Sequence, residues 1–253
     1  MTAASLLFIP GTRPDGQAVR ALARRDLGFS VSFDPMRDGA ALAERGPDHW
    51  LELLAGGMTF DLAGLAPGAA AETPPARHAY GLAEDVAQSG LEALTLRPGA
   101  HLAGGLRMMP VVRSLAWLTA LLTDLPGVQA VVWHPARCWS APESFSASVL
   151  RWVEGGVFPG FSLAALSETP DRALLSEGLA LFTGQELRLE PGLAEDRAEG
   201  AKIALRLLHW LAQNGTLTAA QTVPGPDGEL LRLEPSADRR LVQVSKDSRT
   251  GGA

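Results

Sequence analysis

The chain has 253 residues, 46% of them hydrophobic, enough to build a sizeable core without a metal or disulfide. Its formal charge of −6, with Lys and Arg scattered along it, argues against the basic footprint that nucleic acid requires. A single cysteine excludes an intramolecular disulfide, and no apolar run reaches the roughly 18 residues of a membrane span. The first ten residues lack a basic n-region, so a cytoplasmic, bacterial-type protein is expected.

In chain order, residues 5–9 form a short β-branched and aromatic run closed by Pro10-Gly11, residues 18–25 have helical composition, and residues 29–33 return as a strand. The pattern over 48–54 fits an amphipathic helix ending at Gly56-Gly57, followed by a strand over 58–62. The Ala-, Gly- and Pro-rich stretch 66–77 is a surface connection. A helix over 81–88 and a strand over 91–96 precede a long, largely buried helix at 109–125, where Pro110 is tolerable only in the first turn. Residues 128–133 then make a near-continuous apolar strand, central in a sheet.

Ser140-Ala-Pro-Glu143 has capping-box spacing and opens a helix running to Val153. Strands are expected over 161–166 and 179–189. Residues 194–213 form an amphipathic helix whose stripe is Ile203, Leu207, Leu208 and Leu211, stopped by Asn214-Gly215. Short strands at 217–223, 230–233 and 241–244, joined by Pro/Gly/Asp turns, precede a polar, disordered tail from Lys246. Terminal strands joined by tight turns imply antiparallel pairing, hence an α+β fold of mixed, largely antiparallel sheets layered with helices. The element order from Leu91 onward resembles a ferredoxin-like unit, and a similar order over 5–96 suggests duplication. The parts expected are 1–90, 91–245 packed closely on it, and a tail over 246–253.

One stretch carries a family pattern: Ser176-Glu177-Gly178-Leu179, Phe182, Gly184 and Glu186-Leu187, then an acidic helix, then Gly215 and Thr222. With Ala130-Val-Val-Trp133 and Pro142-Glu-Ser-Phe145 upstream, residues 90–245 resemble the bacterial domain-of-unknown-function 4261 family. The resemblance implies an α+β fold and no mechanism. Thr183 departs from the pattern, which would place Phe directly before Gly, as does the missing polar start to the strand at Leu91; no site residue is carried over.

The chemistry-bearing residues gather where the 128–133 strand ends: His134, Arg137 and Cys138 lie within five positions. His134 as a base and Cys138 as a thiolate favoured by a helix N-terminus would make a cysteine-dependent hydrolase or transferase, provided the thiol is exposed and reaches the imidazole. The alternative is a small buried Cys138 beside a strand-end histidine. Free N–H groups after Ser140, with Arg137, could hold a carboxylate or phosphate unless Ser140 and Glu143 cap them. Trp139 is either a contact surface or core, whereas Trp117, Trp133 and Trp210 are core residues. Glu168, Asp171, Glu177 and Glu186 are conceivable acid/base partners, more commonly solvated charges. His49, His78, His101 and His209 show no ligand spacing, so no metal or cofactor is expected. The preferred reading is a non-catalytic binding module for a protein or small-molecule partner, with its site at the end of the 128–133 strand and neither nucleic acid nor membrane as partner.

Overall fold

A computed structural model describes residues 2–38, 50–83, 86 and 90–247. The chain divides into two units, Met1–Gly156 and Val157–Ala253. The boundary expected at 90/91 instead falls inside the first sheet, because strands from both sides of it pair with one another.

In the first unit the elements are β1 (Ala4–Phe8), α1 (Gly16–Ala23), β2 (Phe29–Phe33), α2 (Pro35–Asp38), β3 (Trp50–Ala55), β4 (Met58–Ala63), β5 (His78–Tyr80), β6 (Glu92–Pro98), α3 (Met109–Leu122), β7 (Val128–Trp133), β8 (Cys138–Ser140) and α4 (Pro142–Val153). The strand order is β2-β3-β4-β6-β1-β7-β8-β5, antiparallel at every pairing except β5 with β8. β1 is buried along its whole length, as a central strand covered on both faces must be. Helices α3 and α4 pack on each other and against β1, β6 and β7. The face carrying Leu7, Ala93, Ala130, Val132 and Trp139 is covered by Ala71, Leu82 and Val86.

The second unit holds α5 (Gly160–Leu163), β9 (Ala165–Glu168), β10 (Leu174–Glu177), α6 (Ala180–Thr183), β11 (Glu186–Leu189), α7 (Pro191–Ala194), α8 (Arg197–Asn214), β12 (Gln221–Pro224), β13 (Leu230–Pro235) and β14 (Leu241–Lys246). Its sheet runs β12-β13-β14-β11-β10-β9, with β11 and β14 parallel and the rest antiparallel. α8 lays Ile203, Ala204, Leu207, Leu208 and Leu211 inward, and Asp196 caps its start by accepting from the Ala198 and Glu199 N–H groups. The protein is thus an α+β fold with two largely antiparallel mixed sheets. The two sheets differ in strand number and order, and the duplicated ferredoxin-like arrangement is not seen.

Four expected elements differ, each for a local reason. The helix expected over 48–54 is strand β3 from Trp50, with 48 and 49 outside the described residues. Leu51, Leu53 and Ala55 are buried in period two, and Gly56-Gly57, both at positive φ, form a two-residue hairpin turn into β4 rather than a helix stop. The strand expected over 161–166 begins as α5 and becomes β9 only at Ala165. The one expected over 179–189 is split into α6 and β11 by Gly184 at φ +80. The capping box at Ser140 is not formed: Ser140 completes β8, Ala141 is the N-cap, and Pro142 supplies the first turn. Of the helix expected over 81–88, residues 81–83 are not helical and half of the stretch (84, 85, 87 and 88) lies outside the described residues, as does most of the tail, although Lys246 itself ends β14.

Candidate functional site

Serine is an uncommon choice in the buried strand Ala4-Ser5-Leu6-Leu7-Phe8, and the fold shows what it serves. Pairing of β1 with β6 sets Ser5 opposite Thr95. The hydroxyls lie 2.9 Å apart, and Ser5 Oγ is also 2.8 Å from Nε2 of His134 in the turn that ends β7. A chain of three polar groups therefore runs across the sheet, from β6 through β1 to the end of β7. Burial, aided by the positive charges of the amino terminus and, less, of Arg97, pushes His134 down from 6.5 to about 4, so the imidazole is neutral at physiological pH. Ser5 is wholly enclosed, whereas Thr95 and His134 open onto a cleft of about 520 Å³.

Arg97 lies two residues beyond Thr95 on the same strand, so both side chains project to the same face and both line the cleft. Among the described residues, the Arg97 guanidinium has neither a hydrogen bond nor an ion pair. Ala63, Gly64, Ala71 and Glu72 form the facing wall. Ala71 and Glu72 of this wall belong to the 66–77 connection expected as plain surface, but it is held in place. The Ala71 N–H donates to the Ala93 carbonyl at 3.0 Å, and Thr73 Oγ1 donates to the Leu91 carbonyl at 2.8 Å. Arg13 donates to the carbonyls of Gly64 and Gly68 while its Nε meets Glu92 Oε2 at 2.7 Å. The loop 10–16 therefore contributes an arginine clamp.

The residues singled out from sequence are dispersed around this cleft. Of them, only His134 lines it. Arg137 is exposed, with φ +47, and its carbonyl accepts from the Arg77 and His78 N–H groups. Ser140 is buried in β8, and Trp139 is core, its Nε1 donating to the Pro74 carbonyl at 3.2 Å. Trp133 is fully buried, whereas Trp117 and Trp210 are only half-buried. Cys138 is fully buried, with Sγ 3.6 Å from both the Trp139 carbonyl and Ser140 Oγ, and burial pushes its pKa up to about 11. That is the reverse of an activated thiolate, and the His134 imidazole is engaged by Ser5. A small alkylating reagent is expected to leave Cys138 unmodified in the native protein and to react with it once the chain is unfolded; rapid native alkylation at neutral pH would contradict this placement.

The carboxylates of the second unit also do not converge as an acid/base pair. Glu168 lies near Arg172 and Arg197, and Asp171 is held by Thr169 and Arg188. Glu186 turns inward to accept from Ser176 Oγ and from the N–H groups of Gly178, Leu179 and Ala180. His101 lies 3.5 Å from Thr59 Oγ1, and His209 Nδ1 accepts from the Phe158 N–H; His49 is outside the described residues. Among the described residues no three His, Cys, Asp or Glu side chains come together as metal ligands would, and no helix is long and apolar enough to cross a membrane.

Ser5, Thr95 and Arg97 were not identified from sequence, since the pairing that unites them with His134 spans 90 and 129 positions. The local signals were a hydroxyl inside an apolar strand and the alternation Thr95-Leu96-Arg97. No family model, no curated protein and no solved structure matches this chain.

Proposed function

We propose that the protein is a binding module that takes a small carboxylate-bearing molecule into the cleft at the end of β7. The observation carrying this reading is Arg97, a guanidinium without an internal partner beside the neutral polar chain of Thr95, Ser5 and His134. A planar fork matches a carboxylate in two parallel hydrogen bonds, so Arg97 can hold one carboxylate group of a ligand. Thr95 and the imidazole supply uncharged groups to orient the rest of the ligand, the division of labour usual in small-molecule sites. Binding without catalysis is favoured because Ser5 and Cys138 are enclosed and the Thr95 hydroxyl, which does open onto the cleft, is hydrogen-bonded to Ser5 rather than to the imidazole. An acidic chain with a single buried thiol further supports a cytoplasmic protein that binds neither nucleic acid nor membrane. Membership of the domain-of-unknown-function 4261 family is kept as part of this proposal and adds no activity.

Calorimetric titration with succinate and with glutamate tests the reading. Saturable binding by at least one of them is expected, weakened about tenfold or more by Arg97→Ala, the scale of a lost charge-assisted pair. Arg97 is exposed, so the variant should retain the parent's melting temperature. Absence of saturable binding by either acid, or binding indifferent to Arg97→Ala, would reject the reading.

A further inference from the structure

A second cleft in the first unit has a different electrostatic character. Arg20 and Arg24 lie one turn apart at the end of α1, and Arg37 comes from α2. Together they line a cleft of about 280 Å³ over Ser30 and Val31 of β2, and the same three arginines border an adjoining cleft of about 900 Å³. Among the described residues, no acidic side chain lines the smaller cleft.

The three guanidiniums are not equivalent. Arg20 is paired with Asp34, and both side chains are largely buried, at 18% and 10% exposure. This ion pair is a fixed part of the wall. The side chains of Arg24 and Arg37, both exposed, have no hydrogen-bond or ion-pair partner among the described residues. The α1 C-terminus moderates the Arg24 charge in part, since cations are favoured there. Placing cations at i,i+4 and adding a third from another element is otherwise unfavourable, and it occurs here in a chain whose net charge is −6.

We propose that this cleft is a binding site for a phosphate dianion carried by a small phosphomonoester or by free phosphate. Two unpaired guanidiniums match two negative charges, where the single one at Arg97 matches a carboxylate. Each fork can hold two phosphate oxygens, and Ser30 offers a hydroxyl donor between the walls. The Arg20–Asp34 pair fixes the wall from which Arg24 projects.

The test is calorimetric titration of the full chain with inorganic phosphate against chloride at matched ionic strength, above the second ionisation of phosphate. Saturable binding is expected. Arg24→Ala/Arg37→Ala should raise Kd about tenfold or more, while Arg24→Lys/Arg37→Lys should retain part of the affinity, because lysine keeps the charge without the fork. Unchanged melting temperatures would show that both double variants fold. Arg97→Ala should bind phosphate like the parent; loss of binding in that variant would place the anion in the other cleft and overturn this proposal. Absence of saturable binding would also overturn it, as would sedimentation with phosphatidic acid vesicles without a response to inorganic phosphate. The carboxylate reading stands or falls separately, on succinate or glutamate and Arg97.

Discussion

Gly64→Ala should destabilise the first unit by about 3–5 kcal/mol, among the largest effects of any single methyl group in this protein. Gly64 has φ +90, where an L side chain is strained. A Cβ there would lie 2.6 Å from the Ala93 carbonyl oxygen and 2.8 Å from the Ala71 nitrogen. Those atoms are the two ends of the hydrogen bond that docks the Ala-rich connection on β6. Neither can retreat as a flexible side chain would, because one belongs to a sheet strand and the other to the segment pinned by Arg13. Chemical denaturation should therefore show a lower midpoint, and succinate or glutamate binding should fall with it, because Gly64 and Ala71 both line the cleft. A variant with parent-like stability would mean that the connection is not docked as described.

Glu186→Ala should cost the second unit about 3–5 kcal/mol, since it strands three amides and a hydroxyl in a poorly solvated turn. Oε1 accepts from Gly178 N at 2.9 Å and Ala180 N at 3.0 Å, and Oε2 accepts from Leu179 N at 3.2 Å and Ser176 Oγ at 2.5 Å. Ser176 Oγ in turn accepts from the Leu187 N–H, so one carboxylate ties the start of α6 to β10 and β11. Glu186→Gln should cost less, about 2 kcal/mol, because one amide face would confront a donor with another donor. Burial raises the Glu186 pKa above 4.5 despite these four donors. Its contribution to stability is therefore fullest below the unfolded value and declines as pH rises through the folded one. Ser176→Ala, which removes a donor, should raise that pKa further and shift the decline to higher pH, readable in melting curves collected across the acid range.

In the stretch from Ser176 to Leu187 the side chains of Ser176 and Glu186 and the backbone at Gly178 are committed to one turn. The motif was visible, but its structural purpose depended on the carboxylate turning inward. Other parts were legible because their signals are local. α8 has its cap at Asp196 and its apolar stripe, and β7 has its unbroken apolar run. β3 was misread because Gly56-Gly57 serves equally as a helix stop or a hairpin turn, and only pairing with β4 decides between them. At the candidate site, proximity in sequence misled. Cys138 follows His134 by four positions, yet β8 carries it into the core, while the imidazole's actual partner is Ser5 of β1, itself joined to Thr95 of β6. Long-range register of this kind leaves no mark on either strand except an isolated hydroxyl.

The cleft account is tested most directly by following the His134 ring by nuclear magnetic resonance, first through pH and then through addition of succinate and glutamate. The account predicts a neutral imidazole with a midpoint near 4, well below the ordinary 6.5. It also predicts that at neutral pH at least one of the two acids shifts the His134 resonances saturably in the parent, and far less in Arg97→Ala. A midpoint near 6.5, or ring resonances that neither acid moves, would contradict it.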